Sequence, residues 1–90
     1  MAIVIKFTVE GMTADKYTET LKRLAAAGAA APPGRSYHVS YGAKDNLQVI
    51  DVWDSPQTFE AFGKTLVPIL KSLGVKAEPV IAEVNRIQMR

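Results

Sequence analysis

Two alternating segments in the middle of the chain, residues 36–42 and 47–53, constrain its fold most strongly. Each has the twofold periodicity and the β-branched and aromatic content of a β-strand. The four residues between them, 43–46, include Asp and Asn, which tolerate the conformations of a tight turn. The two segments therefore predict a β-hairpin, and this hairpin carries the single His and the single Trp of the chain.

The residues before the hairpin predict a strand followed by a helix. Residues 2–9 alternate between apolar and polar types, as in a strand of a sheet. Thr13 is a good N-cap for a helix over residues 14–27, which carries an apolar stripe. Residues 28–35 contain two adjacent prolines and form a connection, because proline cannot continue a helix.

The residues after the hairpin predict a helix followed by a strand. The helical apolar pattern covers residues 56–73, and Pro68 inside it is expected to kink or split the helix near residues 63–67. A last strand is predicted over residues 78–87. Pro79 favours an edge position for that strand, because proline cannot donate a hydrogen bond to a second neighbour.

This order of elements, β-α-β-β-α-β, predicts an α+β fold of the ferredoxin-like type. With right-handed crossovers it gives a four-stranded antiparallel sheet of order 4-1-3-2 with both helices on one face. Residues 1–90 are expected to form a single domain, and a chain this short buries only about two thirds of its surface on folding. The strands are apolar on both faces, as in Val4 beside Ile5, so a second copy of the chain is expected to cover the face without helices.

Composition excludes several classes of function. Eleven Lys and Arg against nine Asp and Glu give a net charge of +2, and the basic residues are scattered, so no nucleic-acid partner is expected. The absence of cysteine excludes disulfides and thiolate chemistry, and one His with scattered carboxylates does not make a metal site. No segment reaches the roughly 20 apolar residues that span a bilayer. A cytoplasmic protein without a membrane partner is expected.

The hairpin brings together one group of polar side chains that could carry chemistry. If the residues flanking the four-residue loop pair directly, His38 lies across from Asp51 and Ser36 lies across from Trp53. A carboxylate beside an imidazole orients it and stabilises its protonated form, as a general base requires. The alternative to a general base is a structural hydrogen bond between two half-buried polar groups. In either case this register places six residues on one face of the hairpin: Ser36, His38, Ser40, Val49, Asp51 and Trp53.

Residues 52–62, with the sequence VWDSPQTFEAF, resemble the passage from strand to helix that is common in the dimeric α+β barrel superfamily, in its antibiotic-biosynthesis-monooxygenase-like and stress-responsive group. The order of the elements extends the resemblance over essentially the whole chain. The motif in residues 52–62 is a feature of the fold and not a catalytic motif. The resemblance implies that two sheets close into a barrel across a homodimer. It also implies a small-molecule pocket between the sheet and the helices of each subunit.

The resemblance implies an activity, and side chains of the hairpin and of the second helix suit that activity. Cofactor-independent oxygenases of this superfamily deprotonate an electron-rich phenol in an apolar pocket, and the substrate carbanion itself reduces oxygen. Oxygenation or isomerisation of a small aromatic or polyketide-like compound, with no cofactor and no metal, is therefore expected. Haem is not expected, because the first strand lacks the Asn of the haem-degrading branch. His38 and Asp51 would be catalytic, and the substrate-binding residues would be Ser36, Ser40, Trp53, Phe59 and Phe62. The alternative for Trp53, at the end of its strand, is a packing anchor rather than a group on which a substrate stacks.

Two other functions stay open at this point. The chain could form a non-catalytic dimer that binds a ligand or has a structural role in stress, or a regulatory module with its ligand at the subunit interface. Tyr37 and Tyr41, which share the other face of the hairpin, are predicted to pack in the core or the dimer interface rather than to bind a ligand. Arg35, which follows Gly34, could bind a carboxylate, but it is interpreted as a solvated charge in a loop.

Overall fold

The computed structural model describes residues 1–89 and has the predicted order of elements. All neighbouring strands are antiparallel, and their order β2-β3-β1-β4 is the predicted 4-1-3-2 counted from the other edge. The ferredoxin-like α+β fold is therefore confirmed. Its elements are β1 Ile3–Glu10, α1 Ala14–Ala26, β2 Arg35–Ala43, β3 Asn46–Trp53, α2 Pro56–Ser72 and β4 Lys76–Glu83.

The core lies between one face of the sheet and the two helices. Along β1 the odd-numbered residues from Ile3 to Val9 are buried, whereas Lys6 and Thr8 on the opposite face are exposed. The buried residues form one cluster with side chains of both helices, among them Leu24 and Phe62. We call this side of the sheet the helix-covered face and the opposite side the open face.

Both helices begin at the residues that the sequence indicates. The Thr13 hydroxyl accepts a hydrogen bond from the backbone N–H of Lys16 at 3.1 Å and caps α1. Ser55 caps α2 in the same way, accepting from the N–H of Thr58 at 3.3 Å. Pro56 opens α2, where its missing N–H breaks no hydrogen bond of the helix. Within residues 1–89, neither helix is long and apolar enough to cross a membrane.

Pro68 does not split the second helix. Residues 56–72 form one continuous helix with Pro68 inside it, on the exposed side. The loss of one backbone hydrogen bond is tolerated because the helix is anchored on both sides of the proline by buried side chains, Phe62 and Leu70. The alternative of a split helix near residues 63–67 is therefore wrong.

The last strand is displaced from its predicted range of 78–87. It runs antiparallel along the whole of β1, from Lys76 opposite Glu10 to Glu83 opposite Ile3. Beyond Glu83 the first strand offers no further partner, so the ladder ends with one backbone hydrogen bond between Val84 and Ala2. The predicted edge position is confirmed, because β4 pairs with β1 alone.

The hairpin has the predicted register around His38 but a shorter turn. His38 pairs with Asp51, and Gly42 pairs with Leu47, as predicted. The ladder continues by one more pair, between Ala43 and Asn46, so the turn contains two residues instead of four. The pairing survives this change because extending both strands by one residue leaves their register unaltered.

At its other end the hairpin contains a β-bulge, and the predicted pairing of Ser36 with Trp53 is wrong. Arg35 pairs with Trp53 and Tyr37 pairs with Val52, which leaves Ser36 as the extra residue between them. An extra residue reverses the faces of the side chains that precede it, so Arg35 comes to the helix-covered face. Ser36 is exposed in the bulge.

Gly34 explains why the chain enters β2 in this way. Its φ of +90° is accessible to glycine, and a Cβ at this position would lie 2.6 Å from side-chain atoms of Thr58. Its carbonyl oxygen accepts the backbone N–H of Asp54 at 2.7 Å. The start of β2 is thus held against the start of α2, immediately before the bulge.

Candidate functional site

A cavity of about 60 Å³ lies between the helix-covered face and the two helices. Most of its wall is apolar and comes from β1, α1 and α2, including Phe7, Val9, Leu24, Phe62, Leu66 and Leu70. The polar and charged side chains in the wall are Tyr17, Thr20, Arg35, His38 and Asp51. A largely apolar wall with a few convergent polar groups is typical of small-molecule sites.

Asp51 is the buried centre of the polar group, with 2% of its surface exposed. Its Oδ1 lies 2.5 Å from Nδ1 of His38, and its Oδ2 accepts the indole N–H of Trp53 at 3.2 Å. Both carboxylate oxygens are therefore partnered, which a buried carboxylate requires. The predicted contact between His38 and Asp51 is confirmed by this geometry.

Tyr17 completes the group from α1. Its hydroxyl oxygen lies 2.7 Å from Nε2 of His38, and the two rings are parallel within 3°. Because the Asp51 carboxylate accepts a hydrogen bond from Nδ1–H, Nε2 of a neutral imidazole accepts a hydrogen bond from the Tyr17 hydroxyl. Tyr17, His38 and Asp51 thus form one hydrogen-bonded row, in which a base lies between a hydroxyl and an orienting carboxylate.

Sequence reasoning missed this role of Tyr17. The residue belongs to the apolar stripe of α1, where an aromatic side chain is usually explained by packing. The sequence feature that could have indicated this role is the place of Tyr17 on the buried side of α1, because that helix packs on the sheet face that carries His38. That feature becomes usable only when the crossing point of the helix is known.

The three aromatic residues that were predicted to bind substrate lie in two layers. Phe62 lines the cavity, whereas Trp53 and Phe59 lie behind it. The Trp53 ring centroid is 5.2 Å from that of Phe62 and 5.6 Å from that of Phe59. Trp53 therefore supports Phe62 by packing and Asp51 by a hydrogen bond, and it does not form part of the cavity wall.

The two predicted serines lie outside the cavity wall. Ser40 is half-buried on the helix-covered face, two pairs further along the hairpin than His38. Ser36 is exposed in the bulge, with its hydroxyl 3.4 Å from the carbonyl oxygen of Val52. The structure therefore brings His38, Asp51 and Phe62 together at the cavity and leaves these serines apart from them.

Arg35 is part of the site, and its interpretation as a solvated loop charge is wrong. It is the first residue of β2, it is half-buried, and it lines the cavity. Its guanidinium carbon lies 5.8 Å from the ring centroid of Phe62, within the range of a cation–π contact. The bulge at Ser36 causes this placement, since it turns the preceding side chain inward.

The remaining candidates do not join this group. Tyr37 and Tyr41 lie on the open face, with 51% and 39% of their surfaces exposed. Their packing in a dimer interface stays a prediction. Among residues 1–89, no three His, Asp or Glu side chains are grouped so that they could hold a metal ion.

Comparison with known proteins finds relatives by structure. No protein-family model matches the sequence, and no curated protein matches it. SnoaB from Streptomyces nogalater, a cofactor-independent oxygenase, matches with 25% identity over 96% of this chain and 93% of its own, with a TM-score of 0.60. Proposed antibiotic biosynthesis monooxygenases from Chloroflexus aurantiacus J-10-fl and Deinococcus radiodurans match with TM-scores of 0.64. They are 17% and 14% identical, with 98% and 100% of this chain and 96% and 98% of theirs covered.

These likenesses and the order of the elements agree on one class of protein. The chain has the ferredoxin-like fold of these proteins and is similar to the antibiotic-biosynthesis-monooxygenase-like proteins of the dimeric α+β barrel superfamily. The resemblance stated from residues 52–62 and from the element order is therefore confirmed.

Proposed function

We propose that this protein is a cofactor-independent, monooxygenase-like enzyme for a small aromatic compound, with His38 as the general base. The observation that carries the proposal is the row formed by Tyr17, His38 and Asp51 at the wall of an apolar cavity. The likeness to SnoaB, a cofactor-independent oxygenase, supports the same chemistry.

The position of Tyr17 indicates which chemical group His38 can bind. Its phenol hydroxyl is held by Nε2, so the phenol hydroxyl of a substrate meets the same acceptor when Tyr17 turns away. The substrate proton then passes to Nε2, and the carboxylate of Asp51 stabilises the imidazolium that forms. The pairing of Asp51 with Trp53 keeps the carboxylate in place during this transfer.

The subsequent redox step needs only molecular oxygen as a second substrate. Electrons from the substrate anion reduce oxygen, and a carbon–oxygen bond forms to give a peroxide. The imidazolium returns its proton to the peroxide, and loss of water from the resulting hydroperoxide leaves a ketone or quinone. Isomerisation uses the same proton abstraction from the hydroxyl, with the proton returned to a carbon of the ring and no oxygen consumed.

The cavity is too small for an aromatic ring in this structure. Its volume of about 60 Å³ is smaller than the cavity of about 150 Å³ that holds a benzene molecule in an engineered protein. Leu21, which lines the cavity from α1, is 44% exposed and marks the side open to solvent. Entry of an aromatic ring therefore requires the Tyr17 and Leu21 side chains on α1 to move.

The second candidate function is non-catalytic binding of a small ligand. The completed row favours it, because Tyr17 within the protein already serves as the partner of Nε2 of His38. In this case the row is a structural network, and Tyr17 keeps its place when the ligand binds. Turnover distinguishes this candidate from the enzyme.

We also propose that a second copy of the chain covers the open face, forming a homodimer. Half-buried apolar residues at the centre of this face, Val4, Ile50 and Val52, are flanked by the more exposed Tyr37 and Val80. An apolar surface of this kind is stabilised by burial against a matching surface. The similarity to the dimeric α+β barrel superfamily supports this arrangement.

Oxygen consumption tests the enzymatic proposal. The wild-type protein is incubated with electron-rich phenols, naphthols and anthrones, without added cofactor, and compared with His38→Ala and with Ser40→Ala. Ser40 is the matched control, because it lies on the same strand and face but outside the cavity wall. We expect His38→Ala to lose about 100-fold or more in turnover, the usual contribution of a general base, and Ser40→Ala to retain it.

Two results contradict the proposal. Turnover by His38→Ala at the wild-type rate removes His38 from the mechanism. Binding of these compounds by the wild-type protein without turnover of any of them supports the ligand-binding candidate instead. Mass spectrometry of the product separates oxygenation, which adds oxygen atoms, from isomerisation, which leaves the mass unchanged.

A further inference from the structure

We propose that Arg35 binds a carboxylate of the ligand, so that the pocket accepts hydroxy-substituted aromatic acids in preference to neutral phenols. This inference rests on the small-molecule pocket proposed above and names the class of compound that fits it. The hydroxyl of the ligand would face His38, and its carboxylate would face Arg35.

The first argument is the charge that Arg35 brings into the cavity wall. Its guanidinium group lies over the ring of Phe62, and the side chain is half-buried. Within residues 1–89, the structure gives this guanidinium no ion pair and no hydrogen bond, although it carries five N–H donors. A partly desolvated cation beside an aromatic ring is stabilised further when an anion reaches its free donors.

The second argument is that the protein itself supplies no anion for this charge. The single carboxylate in the cavity wall belongs to Asp51. Its two oxygens are engaged by His38 and Trp53. The charge of Arg35 is therefore left for a ligand. A carboxylate suits it best, because its two oxygens match the planar fork of a guanidinium group.

The third argument is the spacing between the two polar ends of the site. Arg35 pairs with Trp53, and His38 pairs with Asp51. Asp51 and Trp53 are two residues apart on β3, so the two pairs are separated by the same distance. Two residues of a strand span about 7 Å, which is comparable to the length of an aromatic ring with a substituent at each end. A ring lying along Phe62 could therefore place a hydroxyl at His38 and a carboxylate at Arg35.

The β-bulge links this inference to the fold. Without the extra residue Ser36, strict alternation would place Arg35 on the open face. Bulges commonly redirect a side chain next to a functional site, and here the redirected side chain is the one that carries a free positive charge. The hydrogen bond from the backbone N–H of Asp54 to the carbonyl oxygen of Gly34 holds the chain at the point where the bulge begins.

Binding measurements with matched acid and amide pairs test the inference. The probes are 4-hydroxybenzoate with 4-hydroxybenzamide, and 6-hydroxy-2-naphthoate with its amide, titrated into ¹⁵N-labelled protein. We expect each acid to bind about tenfold or more tightly than its amide, as charge-assisted hydrogen bonds predict. The side-chain Nε–Hε signal of Arg35 should shift with the acids and stay in place with the amides.

Variants assign this preference to Arg35. Arg35→Gln should weaken acid binding about tenfold and leave amide binding unchanged, and Arg35→Lys should restore part of the loss, because it keeps the charge without the planar fork. Lys22→Gln, which removes one exposed charge from α1, is the control and should change nothing. Equal binding of acid and amide, no binding of either acid, or an unchanged preference in Arg35→Gln would each overturn the inference.

The outcome is separate from that of the enzymatic proposal. Binding of the acids through Arg35 without oxygen consumption supports the carboxylate site and contradicts the oxygenase. Turnover of neutral phenols with no preference for acids contradicts the carboxylate site and leaves the oxygenase standing. His38→Ala should keep the preference for acids, because the carboxylate contact is made at the other end of the pocket.

Discussion

The two faces of the sheet differ in what a single subunit provides for them. On the helix-covered face, Trp53 and Ile5 are completely buried, and Asp51 has a partner for each oxygen. On the open face, Tyr37 and Val80 are 51% and 61% exposed. Both faces are rich in apolar side chains, so the difference comes from the helices and not from the composition of the strands.

The third strand shows this contrast most directly, because it contributes to both faces in alternation. Its odd-numbered residues, which include Asp51 and Trp53, lie on the helix-covered face. Its even-numbered residues, which include Ile50 and Val52, lie on the open face. The buried polar side chain of this strand, Asp51, lies on the face that the subunit closes itself. There, buried polar atoms find partners, and among residues 1–89 no buried side-chain nitrogen or oxygen lacks one. The open face carries a packing surface instead.

The largest expected effect is a difference in stability between truncations of two neighbouring residues that lie on opposite faces of the sheet. Trp53→Ala removes a fully buried ring and a hydrogen bond to Asp51, and we expect it to lower the free energy of unfolding by about 4 kcal/mol. Val52→Ala truncates a half-buried side chain and should cost about 1 kcal/mol. Urea unfolding at one protein concentration measures both. Equal losses would mean that the open face is packed as tightly as the other.

The second prediction tests the association of the open face with a second copy. Val52→Asp places a charge among apolar neighbours, because Val52 pairs with Val4 and Tyr37. We expect it to raise the dimer dissociation constant at least about 100-fold, which corresponds to about 2.7 kcal/mol. Sedimentation at micromolar concentration measures this change.

The matched control for this experiment adds the same charge elsewhere. Ala61→Asp lies on the exposed side of α2 and should leave the mass unchanged. A wild-type protein that sediments as a monomer, or a Val52→Asp variant that dimerises like the wild type, would contradict the proposed homodimer. Circular dichroism confirms that each variant is folded.

The smallest expected effect concerns the hydrogen bonds of the helix-covered face. In Asp51→Asn one carboxylate oxygen becomes an amide that cannot accept, so either His38 or Trp53 loses its acceptor. We expect a loss of about 2 kcal/mol in the free energy of unfolding, the usual cost of an unsatisfied buried donor. The ¹⁵N shifts of the His38 ring should also show a change in its tautomer.

The control for the network is a carboxylate outside it. Asp54→Asn changes an exposed side chain three residues further along the chain and should alter neither stability nor the His38 signals. If Asp51→Asn is as stable as the wild-type protein and leaves the His38 tautomer unchanged, then the carboxylate is not the group that orients the imidazole.

The contact between His38 and Asp51 could be predicted from the sequence because it depends on local order. Two alternating segments joined by a short loop have few possible registers, and the chosen one placed these two side chains opposite each other. The loop proved two residues shorter than predicted, but both strands lengthened equally. The error therefore cancelled. Near the start of β2 no such cancellation occurred, because the bulge at Ser36 adds a residue to one strand alone.

The sequence by itself determined the order of elements, the strand order, the edge position of β4 and the pairing of His38 with Asp51. These features follow from short-range periodicity, chain connectivity and the handedness of crossovers, which act between residues near each other in the chain. The tertiary structure alone decided the contact of Tyr17 with His38, the inward turn of Arg35 and the size of the cavity. Those depend on where α1 and α2 pack against the sheet, and packing is set by the fit of many distant side chains at once.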